Sequence, residues 1–419
     1  MSNDTTTRPP ASAASTGALK PRLNAPPPNL PERLIPLLHQ ETPRFSAAEM
    51  KRRRDLFAAA LAKDGCDHTL LIGGDRRGSA LQWLCGWPAN TDNYLVVTPG
   101  RQDVLYVRYP NHQPQAQVLA PEADVRWGAK GGGALAIDEL VARGAKGKTV
   151  GVIGQFGLGY FEKLSESGFR LKDINRVYTQ LRMIKSEEEF EWTRIGAAFS
   201  DLGLEGLVRN LRVGMNEHEL AAIIESSFVP WGGNIGIHHL GVTSMARPDC
   251  CVPSQFPRNR TVQPGDMVFT EISSLFWSYS GQVLRSFTVE AEPTPLYRDL
   301  YACADAVYHA VLKVLKPGNT PKDVLDAASP IIKDAGFTVC DDLVHGYIGG
   351  YLPPVLGTHE RPSGPVPEYQ FEPGMAMVVQ PSVVTKDTTA GVQTGELVRI
   401  TATGAESLHN APWGFRRIG

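Results

Sequence analysis

The sequence predicts an α/β protein of two domains, the second assembled from two related halves. Three observations lead there. Helical and strand-like patterns alternate from residue 46 onward, a capping signature at Ser186 opens a second long helix, and one helix-opening pattern recurs at Asn216 and Thr320. A chain of 419 residues, 42% hydrophobic, is long enough to bury a core in each domain.

Residues 1–45 are rich in Pro, Thr, Ser and Ala and include Pro26-Pro27-Pro28. Such a stretch has too little apolar surface to fold alone and reads as a flexible N-terminal extension. Leu34 to His39 is its apolar part and suits docking on the body or on a second subunit. Ser46 and Glu49 form a capping box that opens a helix through Leu61. Thr69–Ile72 reads as a buried strand. Asn93–Thr98 and Asp103–Val107 read as strands joined at Pro99-Gly100, a hairpin. A helix over Leu135–Val141 and a strand over Thr149–Ile153 follow, giving a first α/β domain over 46–183.

The second domain spans 184–419. Ser186 and Glu189 repeat the capping box, and Ile195, Ala198, Phe199 and Leu202 fall at helical spacing, facing a core. Gly214 stands two residues before Asn216, with Glu219 three beyond. Gly318, Thr320 and Asp323 repeat that arrangement. Each helix so opened leads into a strand-like run, as a pseudo-two-fold fold requires.

The net charge of −2 gives no footprint for nucleic acid or an anionic membrane. No apolar run approaches the roughly 18 residues of a membrane span. The N-terminus has neither the basic nor the apolar region of a secretion signal. Cysteines at 66, 85, 250, 251, 303 and 340 fit neither a disulfide framework nor a zinc motif. A reduced, cytoplasmic protein acting on a small-molecule substrate is the expectation.

The stretch Pro264-Gly265-Asp266, continuing to Glu271, Gln282 and Arg285, resembles the metal-binding hairpin of the creatinase/aminopeptidase P family, peptidase family M24. Val344-His345-Gly346 and Pro373-Gly374-Met375, leading to Gln380-Pro381, resemble later segments of that family, in the same order. The resemblance covers about residues 46–410. It implies a creatinase-like N-terminal α/β domain and a C-terminal pita-bread catalytic domain. It also implies a homodimer in which one subunit's N-terminal domain completes the other's site.

In dinuclear members of that family two hairpin Asp, one His and two late Glu hold two divalent ions. Carried over residue by residue, those positions hold Glu271, Gln282, His345, Gln380 and Gly395. The resemblance therefore implies a metal site with most of its carboxylates removed, and the expectation is no metal and no cofactor. Creatinase is the family's metal-free precedent, but its catalytic His falls on Ser254 and its glutamates on Leu284 and Gln380. The expected activity is a creatinase-like, metal-independent hydrolysis of a C–N bond in a small polar non-peptide substrate. Two alternatives stand beside it: a metal-dependent Xaa-Pro aminopeptidase or dipeptidase, and a catalytically dead fold used for binding.

Glu271 and His345 are the expected catalytic pair, a carboxylate and an imidazole converging on one concavity. Gln282, Gln380, Gln393, His238, His239 and His359 are the expected substrate-binding residues. Each has a blander reading. A histidine in a strand is more often packed or solvated, and His359 follows an insertion. Alternation sends Glu396 to the face opposite position 395, where it suits packing. Arg285 suits a buried ion pair. Trp231, Trp277 and Tyr279 suit a core more than a pocket wall. Cys250 and Cys251 have no base assigned to them.

Overall fold

The structure is a computed structural model and describes residues 23, 25–74, 80–348 and 350–419. Expectations for residues 1–22 and 24 of the extension, and for Gly349, lie outside the described residues. Helix α1 (Ile35–Leu38) precedes α2 (Ala47–Asp64), which Ser46 caps by accepting from the Glu49 amide. Ala25 and Leu34, ahead of α2, are buried against the core of the second domain.

The N-terminal domain is a six-stranded sheet: β1 (His68–Gly73), β2 (Asn93–Val97), β3 (Val104–Val107), β4 (Asp124–Trp127), β5 (Thr149–Ile153) and β6 (Arg170–Asp173). Their order is β4-β3-β2-β1-β5-β6. The β2–β3 hairpin forms as its Pro-Gly turn predicts, with Leu95 opposite Leu105. Helices α3 (Ala80–Cys85), α4 (Gln113–Leu119), α5 (Gly132–Ala142), α6 (Leu158–Glu166) and α7 (Asn175–Leu181) cover it.

The C-terminal domain opens with α8 (Glu187–Asn210), where Ser186 and Glu189 make both halves of the capping box. Such a cap contributes about 1 kcal/mol. Helix α9 (Glu217–Phe228) leads to β7 (Asn234–Ser244), β8 (Asp266–Phe276), β9 (Tyr279–Ser280) and β10 (Val283–Val289). The second half is α10 (Pro295–Val314) and α11 (Pro321–Asp334), then β11 (Thr338–Val339), β12 (Val344–Gly346), β13 (Leu352–Leu356) and β14 (Ala376–Val379). Strands β15 (Ser382–Val384), β16 (Gly391–Gln393), β17 (Gly395–Ile400), β18 (Ala405–Ser407) and β19 (Arg416–Ile418) complete it.

The main sheet runs β13-β12-β14-β17-β10-β8-β7, and β11-β15-β16 form a small separate sheet. Helices α8 and α9 pack into one apolar core and α10 and α11 into another. This is the predicted pita-bread arrangement of two halves. Both halves open alike: Asn216 and Thr320 cap with their N3 acids, and Gly214 (φ 92°) and Gly318 (φ 89°) precede them in the left-handed region. A side chain at either glycine costs backbone strain, which is why the motif carries glycine twice.

A buried polar cluster joins the two domains. Arg53 of α2 bonds Glu49 (2.6 Å) and the Tyr279 hydroxyl (3.3 Å), and stands 3.6 Å from Glu189 of α8. Tyr279 donates to Glu189 at 3.1 Å. A buried cation satisfied on this many sides fixes geometry more than it adds stability. Tyr279 and Trp231 thus belong to the core, while Trp277 bridges the apolar cores of the two domains.

Candidate active site

The Gly265-Asp266 pair sets the register of β8. Gly265 takes φ 83°, and the Asp266 carboxylate accepts from the Gln263 amide (2.8 Å) and from Arg260 (2.6 Å). The turn closed in this way places Glu271 at the middle of β8. Antiparallel register then puts His239, Glu271, Leu284 and Gly395 in one row across four strands. The adjoining row holds Leu397, Val378 and His345. Residues opposite one another share a face, as do residues two apart. Glu271, His239 and His345 therefore lie on one face of the main sheet.

The opposite face carries the structural pair foreseen for Arg285. Its guanidinium meets Glu396 at 2.5 Å, and Tyr308 of α10 donates to the same carboxylate at 3.2 Å. Burial works to raise the Glu396 carboxyl, but the Arg285 charge outweighs it and holds the group below its ordinary value.

Around Glu271 the structure gathers amides. Gln282, between β9 and β10, donates to Glu271 at 2.9 Å and to the Gln380 side-chain oxygen at 3.1 Å. Gln393 donates to the other Glu271 oxygen at 3.4 Å. Its own backbone is clasped by Ser286, which exchanges bonds of 3.0 and 2.7 Å with it. Gln380 donates to the Asp342 carbonyl at 3.2 Å, and its side chain interacts with the His345 ring. The side-chain oxygen of Gln393 is buried and has no hydrogen-bond partner. A buried acceptor left open in this way calls for a donor from outside the chain.

Glu271 and His345 share the sheet face without touching each other among the described residues. Three strands separate them, and Gln282 and Gln380 span the gap. His345 is buried, bonds the Gly346 carbonyl through Nδ1 at 3.1 Å, and stacks on Tyr351 at 4.0 Å. Burial pushes its ring down to about 4, so it stays neutral near neutral pH. Glu271 moves the other way. Burial raises it to about 7, the charges of Asp341 and Asp342 add to the rise, and the Gln393 bond opposes it. A carboxyl poised there exchanges its proton readily at neutral pH.

The other sequence-derived residues divide. His239 faces the Glu271 row. His238 turns away to Glu225 of α9 at 3.0 Å. His359 is exposed and pairs with Asp326 of α11 at 2.8 Å, so the structure ties it to the outer helical layer. Sequence reasoning missed Asp341, Asp342 and Tyr351, whose hydroxyl donates to Asp342 at 2.5 Å. A cleft of about 670 Å³ opens between the domains, lined by Gly74, Asp92 and Gly154 on one side and Ser280, Tyr347 and Tyr351 on the other. Tyr351 joins this cleft to His345. The adjacent acids at 341–342, shortly before His345, were the signal available in the sequence.

Residues 191–402, half of the chain, match metallopeptidase family M24. The chain belongs to that family. The Xaa-Pro dipeptidase of Pyrococcus furiosus is 25% identical over 264 residues, covering 62% of this chain and 73% of the relative. The Xaa-Pro dipeptidase of Pyrococcus horikoshii is 22% identical over 266 residues, again 62% and 73%. Among solved structures, dipeptidase PepE from Mycobacterium ulcerans superposes with a TM-score of 0.75 at 22% identity, over 90% of this chain and 99% of that one. The prolidase of Pyrococcus horikoshii gives 0.72 at 19% identity, over 86% and 99%.

These relatives correct the expectation of a creatinase-like hydrolase of a non-peptide substrate. They carry the names of peptidases, and the peptidase reading replaces it. The mistake has a physical source. Lost ligand carboxylates report on metal binding, whereas substrate choice is set by the rest of the cavity.

The M24 name implies metal ions, and the donor set of this chain does not fit a pair of them. Among the described residues no three His, Cys, Asp or Glu side chains converge. Gln282 turns an N–H donor toward Glu271, where a metal ligand must offer a lone pair. At Gly395 the backbone itself refuses a ligand: φ is 146°, and a Cβ built there lies 2.0 Å from the Val379 carbonyl oxygen. No helix among the described residues is long and apolar enough to cross a membrane.

Proposed function

We propose that this M24 hydrolase takes short peptides of the Xaa-Pro kind onto the concave sheet face and cleaves the bond before proline, with Glu271 moving the protons. The observation that carries the reading is the place of Glu271 at the centre of the sheet, where Gln282 and Gln393 hold its carboxyl and burial raises it to about 7. Cleaving an Xaa-Pro bond adds water to a carbonyl and expels a secondary amine. The water must lose a proton and the amine must gain one. A single carboxyl with a pKa near the working pH serves both steps, as base and then as acid. The open side-chain oxygen of Gln393 accepts an N–H of the bound peptide. Gln282 and Gln393 hold the carboxyl in place. The names of the relatives support the peptide class, and by the same resemblance the working unit is a homodimer.

Binding without cleavage is the second reading. It is favoured by the amides that surround Glu271, each of which fixes it without activating water. One experiment separates the two. Alanyl-proline, glycyl-proline, alanyl-alanine and creatine are incubated with the protein and products are resolved by chromatography, with calorimetric titration of each compound in parallel. Release of proline from the first two alone supports hydrolysis. Heat of binding without product supports the second reading. Neither heat nor product from any Xaa-Pro peptide overturns both.

A further inference from the structure

Outside the Glu271 network, two cysteines far apart in the chain come together beside the small sheet. Cys251 lies in the loop between β7 and β8, and its backbone packs on β16: a Cβ built at Gly391 lies 2.3 Å from the Cys251 carbonyl oxygen. Cys340 follows β11, and its sulfur stands 3.5 Å from the Ser382 hydroxyl of β15. Register pairs β11 with β15 and β15 with β16, so both cysteines rest against neighbouring strands. Their side chains interact with each other, and both residues are only partly buried.

Cys250, the chain neighbour, points elsewhere. Its sulfur accepts from Arg258 at 3.4 Å and lies 3.9 Å from the Val242 carbonyl, and it packs at the edge of the second core. Adjacent cysteines in sequence are thus separated in role by the direction of their side chains.

We propose that Cys251 and Cys340 are a redox pair that a hydroperoxide closes into a disulfide. The interaction of the two side chains lowers the Cys251 thiol to about 7, with the Arg361 charge adding to the effect, and raises that of Cys340, so Cys251 is the attacking thiolate and Cys340 the resolving thiol. The Cys251 thiolate attacks a peroxide oxygen and the O–O bond breaks. This leaves a sulfenic acid on Cys251 and releases hydroxide, which takes a proton to become water. Cys340 then gives up its proton and attacks the Cys251 sulfur. The S–O bond breaks, and hydroxide leaves with that proton as a second water. Two thiols and one hydrogen peroxide give one disulfide and two waters. A low-pKa, accessible thiol next to a resolving cysteine is the arrangement that makes oxidation reversible.

The closed pair would tie the β7–β8 loop to the segment carrying Asp341 and Asp342, where the Asp342 carbonyl holds Gln380. The inference does not rest on the peptide reading. Its test uses the full chain and hydrogen peroxide. Thiols are counted in denaturant before and after oxidation, and disulfides are mapped by mass spectrometry without reduction. The expected loss is two thiols of the six, with one linked peptide pair containing Cys251 and Cys340, restored by a small thiol. In Cys340→Ser the expected product is a sulfenic acid at Cys251, trapped by dimedone. Retention of all six thiols in the wild type overturns the proposal. So does a mapped bond joining any other pair, or an unlinked Cys251 sulfonic acid.

Discussion

Replacing Gly395 by Ala adds one methyl group at a place where the fold has no room. Residue 395 opens β17 opposite Leu284, with φ 146°. Its new Cβ would lie 2.0 Å from the Val379 oxygen and 2.9 Å from the Gln380 Cα. Holding a non-glycine residue at such a dihedral costs about 1–3 kcal/mol. Forcing a methyl into a packed layer costs a further ~1–3 kcal/mol. The expected loss is therefore about 2–6 kcal/mol. Gly214→Ala is the matched control. It has a positive φ of 92° but nothing within 4 Å of its Cβ, so it bears the backbone cost alone. Urea unfolding followed by circular dichroism reads both. A Gly395→Ala variant within about 0.5 kcal/mol of wild type, the range of ordinary surface changes, would falsify the claim that this position excludes a ligand side chain.

Other outcomes follow from the same geometry. Manganese or zinc titrated into metal-stripped protein should saturate at fewer than two ions per chain; two tight sites abolished by changing Glu271 and His345 would show that these donors do hold a metal pair. Glu271 is raised from 4.5 to about 7 and His345 lowered from 6.5 to about 4. The Glu271 contribution to stability is present below pH 4.5 and lost as pH rises to 7. The His345 contribution is present above pH 6.5 and lost as pH falls toward 4. The two oppose each other in the wild type, so Glu271→Gln should gain stability relative to wild type as pH climbs from 4.5 to 7; a pH-independent difference would show that Glu271 titrates normally. Light scattering at micromolar concentration should give a dimer, and a monomer there would remove the homodimer from the proposal.

Much of the fold could be read from caps and turns. Ser186, Asn216 and Thr320 announce their helices through N3 acids, and Gly265-Asp266 marks the turn that sets β8. These signals are local, so sequence carries them well. Strand alternation also sent Glu396 away from the site and paired it with Arg285, which register alone decides. The site itself was legible as a set of positions but not as a set of contacts. Glu271 and His345 share a face, yet a glutamine side chain has enough torsions that Gln282 and Gln380 could reach between them. His359 followed an insertion, and past β13 it is held by Asp326 and Ser329 of α11. Asp342 acts through its backbone carbonyl, which no residue type reveals. The Cys251–Cys340 encounter depends on how a small three-strand sheet folds against a long loop. Substrate class was misread because ligand positions were used as a proxy for the shape of the cavity.

The most direct test of the account is turnover of alanyl-proline by the wild type and by Glu271→Gln, with binding measured on the same preparations. Loss of a group that works as base and acid lowers turnover by about 10²–10⁴, while the peptide remains bound because the residues lining the cleft are unchanged. That result is expected. Wild-type turnover in a folded Glu271→Gln protein would contradict it and move the chemistry away from the centre of the sheet.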